Sequence, residues 1–359
     1  MLSACSAEPA DWRRLSHHEH TFIMRISHLS YLVCPACHSP LRLTNEHFSM
    51  PDRIESGSLD CPRCDARYPV RGGIPRFVPV DNYATGFGVQ WLKHARTQYD
   101  SETQRPITAT RFAAVTKWPR DMSGELVLEA GSGSGRFTEV IAATGAMVVS
   151  FDYSMAVEAN AASNGQRDNV LIVQADIFQM PFRRGTFDRA CCLGVLQHTP
   201  DPARAFASLP PMLKPGGSLA VDVYRKPWGI RRLTSTKYWV RPLTRRVAPR
   251  TLYRWVERYV KALWPVSRFM PKRISWKLLI ADYRGIYDLP DDTLRDWAIL
   301  DTFDMLAPAY DTPQDLETVG QWCAEADLMD CEVHYGYNGI EARARVPVAV
   351  DRSAVVARV

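Results

Sequence analysis

No apolar run approaches the roughly 20 residues that a membrane-spanning helix needs, so the 359-residue chain has no such helix on sequence grounds. Nor does its start hold the apolar stretch of a secretory leader; His17, His18, Glu19 and His20 interrupt it. Internal repeats and low-complexity tracts are missing. Acid is missing in one place: from Arg225 to Lys277 there are sixteen lysines or arginines and a single acid, Glu257. With 44 basic and 39 acidic residues in all, that leaves 28 against 38 elsewhere, an acidic body carrying one basic segment. The nine cysteines do not read as a disulfide framework. Their number is odd, and four sit in two Cys-Pro-x-Cys pairs, the spacing of metal ligands in a reducing compartment. What remains is ordinary for a soluble globular protein, 46% hydrophobic and 23% charged, long enough for two or three domains.

Six stretches are expected: a flexible tail over 1–30, a four-cysteine module over 31–80, a connector or lid over 81–123 with a helix near Val89 to Tyr99, an α/β core over 124–224, a basic aromatic helical insertion over 225–300, and the end of the core over 301–359. Within 124–224, apolar runs at Leu126–Glu129, Met147–Phe151, Val170–Val173, Phe187–Val195 and Ser218–Tyr224 alternate with helical patterns. That alternation predicts a doubly wound parallel sheet, with ligands beyond the carboxyl ends of the strands.

Between the first strand and the first helix of the core stands Glu129-Ala130-Gly131-Ser132-Gly133-Ser134-Gly135. Glycines here let the backbone turn sharply and approach a ligand. A dinucleotide fingerprint would place its third glycine at 136, where Arg136 stands, so a pyrophosphate site is not the better reading. Val127 to Gly135 resembles motif I of class I S-adenosylmethionine-dependent methyltransferases. Val149-Ser150-Phe151-Asp152 resembles the second-strand acid of that family, and Gln174-Ala175-Asp176-Ile177 with Met180-Pro181-Phe182 the adenine region. Phe187-Asp188 to Leu196-Gln197-His198 and Leu213-Lys214-Pro215-Gly216-Gly217 complete the series.

The resemblance implies a Rossmann-like class I sheet and S-adenosylmethionine as methyl donor. Its cofactor residues would be Glu129, Gly131, Gly133, Gly135, Asp152, Tyr153, Asp176, Ile177 and Gly194. Asp152 would accept from the ribose hydroxyls and Asp176 from the adenine amino group, with Ile177 and Phe182 as apolar walls; Glu129 would lie beneath the loop. His198, after the fourth strand, is the candidate general base, or else a histidine that orders its loop; Asp222 and Tyr224 are weaker candidates. Cys191 and Cys192 lie within an apolar strand and read as core.

Cys34-Pro35-Ala36-Cys37 and Cys61-Pro62-Arg63-Cys64 are the ligand set of a closed, structural Zn2+ site. Arg67-Tyr68-Pro69-Val70 and Gly73-Ile74-Pro75 resemble the small zinc ribbon that activates tRNA methyltransferases. Phe87 to Trp91 resembles the connector of such fusions, expected either as a lid over the cofactor or as an ordinary packed helix. In the insertion, Leu252, Trp255, Val256, Tyr259, Val260 and Leu263 make one apolar helical stripe flanked by Arg250, Arg254, Arg258 and Lys261, with Pro265 and Pro271 breaking the chain. A cap over the acceptor, a basic amphipathic membrane surface and an RNA-binding patch all fit it, in that order of preference. The expected activity is methyl transfer to O, N or C of a small or lipid-linked metabolite, in the cytoplasm or at the membrane periphery, with contact through 225–277. An RNA methyltransferase and a catalytically inactive binding module are the alternatives.

Overall fold

A computed structural model describes residues 24–79, 82–227 and 235–348. The cluster at His17 to His20 lies outside the described residues. The tail expected over 1–30 is folded from Met24 onward: Met24–Arg25 forms a strand (β1) and Ile26–Tyr31 a 3-10 turn.

The cysteine module continues with β2 (Arg42–Met50), β3 (Arg53–Asp60), β4 (Arg67–Arg71) and β5 (Ile74–Pro75). β3 is its hub, pairing antiparallel with β1, β2 and β4. Each Cys-Pro-x-Cys turn closes on itself. The His38 amide reaches back to the Cys34 carbonyl at 2.8 Å, and the Asp65 amide to that of Cys61 at 3.0 Å. Both closing residues are left-handed, with φ of 57° and 56°.

A connector follows with three helices, α1 (Thr85–Lys93), α2 (Asp100–Thr103) and α3 (Ile107–Thr116). The helix expected near Val89 to Tyr99 therefore begins and ends earlier. The core alternates β6 (Leu126–Ala130), α4 (Arg136–Ala142), β7 (Met147–Asp152), α5 (Val157–Asn164), β8 (Val170–Gln174), β9 (Phe187–Leu193), α6 (Pro202–Ala207) and β10 (Leu213–Val223). α6 is short, and Lys214–Gly217 is an irregularity within β10, where the register to β9 shifts. The insertion supplies α7 (Thr236–Thr244), α8 (Pro249–Ser267), α9 (Lys272–Lys277) and α10 (Asp291–Leu306), which crosses the boundary expected at 300. The chain closes with α11 (Leu316–Glu325), β11 (Met329–Gly336) and β12 (Gly339–Arg345).

Seven strands form the main sheet in the order β11-β12-β10-β9-β6-β7-β8. β10, β9, β6, β7 and β8 run parallel and β12 antiparallel to β10. β6 and β8 are buried along their whole length, as strands covered on both faces must be. Leu128, Val149, Phe151, Leu171 and Val173 fill one face; Val127, Val148, Val170 and Ile172 meet α4 and α5 on the other. Cys191 and Cys192 are buried in these two layers, as expected. Chain order reverses between β6 and β9, which places a crevice at their carboxyl ends.

The cysteine module lies on the free edge of this sheet. Phe77 donates its amide to Gln174 at the end of β8 (2.8 Å), and Val33 to Pro181 (2.8 Å). Arg76 pairs with Glu158 and donates to Gln174 Oε1 at 3.1 Å. The insertion has its own core, in which Leu252, Val256, Val260 and Trp264 of α8 pack on Leu294, Ala298 and Phe303 of α10. Pro265 falls in the last turn of α8 and does not end it, because the helix has only two residues left to run. Trp255 and Tyr259, expected in the same apolar stripe, face outward. No helix among the described residues is long and apolar enough to cross a membrane.

Candidate active site

A cavity of about 680 Å³ opens beyond the carboxyl ends of β6 and β7, roofed by the connector and the insertion. Of the residues singled out from sequence, Gly131, Gly133, Asp152, Tyr153, Ile177, Gly194 and His198 line it. Glu129, Gly135 and Asp176 do not. Gly135 (φ 92°) starts α4, and a Cβ there would meet Asn160 Oδ1 at 2.1 Å, so it is a packing position. Asp176 accepts the Phe178 amide at 2.9 Å, as a turn cap does. Phe182 lies fully buried in the core, away from the cavity it was expected to wall.

The loop demands glycine for steric reasons. Gly131 and Gly133 have φ of 78° and 53°. A Cβ on Gly131 would stand 2.3 Å from Val195 Cγ2, and one on Gly133 3.1 Å from the Trp91 indole nitrogen. Trp91, with Phe87 and Gln90 of α1, lines the cavity over this loop, so the connector serves as its cover. Asp152 ties the loop to β7. Its Oδ2 accepts the Gly133 amide at 2.9 Å, while Oδ1 accepts the Ser154 amide and hydroxyl at 2.8 and 2.7 Å. Burial raises its pKa, and these donors oppose the rise. Beside it, Tyr153 stacks on Tyr83 at 4.7 Å between ring centres.

Glu129 lies under the loop, buried, and is held by side-chain hydroxyls. Its Oε2 accepts from Ser150 at 2.8 Å and from Thr138, and Asn160 donates to both hydroxyl oxygens. Oε1 has no partner. Burial lifts its pKa to about 7 against the pull of Thr138 and Ser150. A bare glycine backbone and a strand-tip carboxylate at the cavity suit a ligand with an amino-acid arm and a hydroxylated nucleoside. S-adenosylmethionine fits these residues.

The far end of the cavity is polar. His198 has its Nδ1 3.1 Å from the Tyr310 carbonyl, which makes Nδ1 the donor and leaves Nε2 a buried acceptor without a partner. Phe87 and Tyr224 hold its ring edge-on. Asp222 is fully engaged: Arg111 donates to it at 2.6 Å, and so does the Gly194 amide. Tyr224 donates to Asp304 at 3.0 Å, and burial drives its phenol pKa far up, so neither weaker candidate is free to take a proton. Arg136, at the position a third fingerprint glycine would occupy, donates to Gln98 Oε1 at 2.7 Å, and burial lowers its pKa to about 10.

α10 adds Trp297, Asp301 and Asp304 to the lining, one stripe at i, i+4 and i+7 of the helix. That polar stripe was the available signal for residues otherwise missed. Burial raises Asp301 to about 6, with Tyr283 donating to it and Asp304 adding repulsion.

In the cysteine module, the sulfurs of Cys34, Cys37, Cys61 and Cys64 all lie within 4.8 Å of one another. Cys34 to Cys64 is 3.6 Å and Cys37 to Cys61 3.4 Å. Tetrahedral zinc with bonds of about 2.3 Å spaces its sulfurs by roughly 3.8 Å, so the set fits a structural Zn2+ with every position taken by a thiolate.

Residues 128–221 match the family described as methyltransferase domain, and residues 26–73 that described as Trm112p-like protein. The ubiquinone biosynthesis O-methyltransferase of Xanthomonas oryzae pv. oryzae is 32% identical over 109 residues, 30% of this chain and 46% of that protein. The demethylmenaquinone methyltransferase of Thermobifida fusca is 34% identical over 102 residues, 28% and 43% of the two chains. The chain thus spans less than half the length of these curated relatives. Among solved structures, a putative S-adenosylmethionine-dependent methyltransferase of Methanococcus maripaludis shares 14% identity at a TM-score of 0.42, over 77% of this chain and 98% of that one. The complex of the Haloferax volcanii Trm112 activator with a putative methyltransferase shares 21% at 0.34, over 42% and 65%. The chain carries a methyltransferase domain preceded by a Trm112p-like, four-cysteine module.

Proposed function

We propose that the chain is an S-adenosylmethionine-dependent methyltransferase acting on a small or lipid-linked acceptor. The observation that carries this is Asp152: a half-buried strand-tip carboxylate, bonded to the Gly133 amide and facing the cavity that Gly131, Tyr153 and Ile177 also line. Such a carboxylate grips vicinal hydroxyls through charge-assisted bonds. When bound, the donor supplies a methyl group already activated on a sulfonium. The protein's part is to hold the acceptor in line behind that methyl and keep water out, which can contribute roughly 7–11 kcal/mol. α1 covers the loop, and α10 closes the opposite wall. His198 Nε2 and the Asp301 carboxylate are the groups placed to take a proton from the acceptor. The zinc site, with all four positions taken by thiolates, has a folding role.

The relatives' names, which speak of ubiquinone biosynthesis and demethylmenaquinone, support an acceptor of the quinone class. The four-thiolate site suits the reducing cytoplasm, and the basic segment 225–277 supports a place at the membrane periphery. The test is calorimetry with the donor on the zinc-loaded chain. Asp152→Ala should weaken binding roughly tenfold or more, the loss of charge-assisted bonds. No binding by the unaltered chain would end the proposal. Labelled donor given to separated RNA, lipid and small-molecule fractions then separates the acceptor classes; label in RNA alone would establish the RNA alternative, and label in none would leave a binding module.

A further inference from the structure

We propose that the outward face of α7, α8 and α9 docks on a bilayer containing anionic lipid, and that the cavity draws its acceptor from that bilayer. This rests on the methyl-transfer reading and names where its acceptor comes from.

Exposed apolar side chains are concentrated here. Nine of the nineteen large ones among the described residues fall within 239–278. Trp239 is 64% exposed, Trp255 56% and Phe269 78%. On α7, Trp239 and Leu243 are one turn apart; on α8, Trp255, Tyr259 and Val266 keep to a single stripe beside the face that packs on α10. Two hydrogen bonds make these stripes one surface: the Tyr259 hydroxyl donates to the Leu278 carbonyl, and the Thr236 hydroxyl to the Lys277 carbonyl at 2.7 Å.

Charge identifies the occupant. Arg246, Arg250, Arg258, Lys272, Arg273 and Lys277 have no carboxylate within 4.0 Å among the described residues. Free cations around exposed rings complement anionic head groups above an acyl layer. Leu243, Val266, Ile274 and Leu278 favour lipid over RNA, since aliphatic side chains give bases nothing to stack on but gain from insertion among acyl chains.

The same junction reaches the cavity. Thr236, Lys237, Trp276 and Lys277 line it, and Trp276 and Lys277 are also exposed. An opening therefore lies inside the apolar, basic face, so an acceptor can pass from bilayer to cavity without crossing water.

The test is sedimentation of the zinc-loaded full chain with vesicles of phosphatidylcholine, alone or with roughly a third phosphatidylglycerol. Binding should rise about tenfold with the anionic lipid and fall in high salt. Trp239→Ser with Phe269→Ser should weaken it roughly tenfold at an unchanged melting temperature. Fluorescence quenching by brominated lipid should fall in Trp239→Phe with Trp255→Phe. Equal binding to both vesicles, quenching unmoved by the tryptophan replacements, or binding of single-stranded RNA without vesicle binding would overturn the docking. Label transferred only to aqueous metabolites, and not to lipid extract held in the vesicles, would overturn the acceptor route. Donor calorimetry on the same preparation separates the failures: vesicle binding without donor binding refutes methyl transfer, and donor binding without vesicle binding refutes the docking.

Discussion

Replacing Glu129 with glutamine should make the ligand-free protein more stable at alkaline pH. The carboxyl is buried with one oxygen unpartnered, and its pKa rises from 4.5 to about 7. A raised carboxyl pKa means that the folded state binds the proton more tightly than the unfolded chain. Its stabilising contribution is complete below pH 4.5 and is lost as pH climbs through 7. Each tenfold gain in proton affinity on folding is worth about 1.4 kcal/mol, so the wild-type protein loses roughly 2–3 kcal/mol from this group between pH 5 and pH 8. Glutamine carries no charge at either pH and escapes that loss. Thermal melts at the two pH values should show the variant gaining on the wild type by roughly 5 °C at the higher one. Melting curves of the two proteins that stay parallel from pH 5 to 8 would refute the reasoning.

The proton acceptor should declare itself in a pH profile. If Asp301 removes the proton, turnover rises through pH 6 and Asp301→Asn lowers it roughly a hundredfold with donor affinity kept; if His198 does, His198→Ala has that effect and Asp301→Asn spares turnover. Chelation of zinc, or Cys37→Ser, should unfold the module from Met24 to Phe77 first, costing on the order of 10 kcal/mol of folding energy there, and should show as lost amide protection along β3.

The core was legible because its signals are local. Each strand of 124–224 is a short apolar run, three of them bounded by a glycine or an acid (Gly131, Asp152 and Gly194), and the Gly131–Gly133 loop and Asp152 were picked out by the resemblance their motifs carry. Boundaries slipped where tertiary contacts decide: Gly194 stops β9 by adopting a left-handed turn, and α6 gives out at Ala207. Gly131, Gly133, Asp152 and His198 were singled out and line the cavity, whereas Asp301 and Asp304 were missed because α10 brings them to it from a distant part of the chain. Asp176, singled out by its motif, caps a turn beside the cavity that Ala175 and Ile177 line. The stripe on α8 was visible as a stripe, but sequence could not say which of its apolar residues the partner helix would cover. Leu252, Val256 and Val260 meet α10, and Trp255 and Tyr259 are left outside.

The seating of the cysteine module against β8 has a consequence for solubility. β8 is five residues of Val-Leu-Ile-Val-Gln at the rim of a parallel sheet, the kind of border that recruits strands from other molecules. Phe77 and the Arg76 bridge to Gln174 occupy that border at its carboxyl end. The four-cysteine module thus acts as a guard rail against sheet-to-sheet association, and a truncated chain beginning at the methyltransferase domain would carry a sticky margin that the intact one conceals.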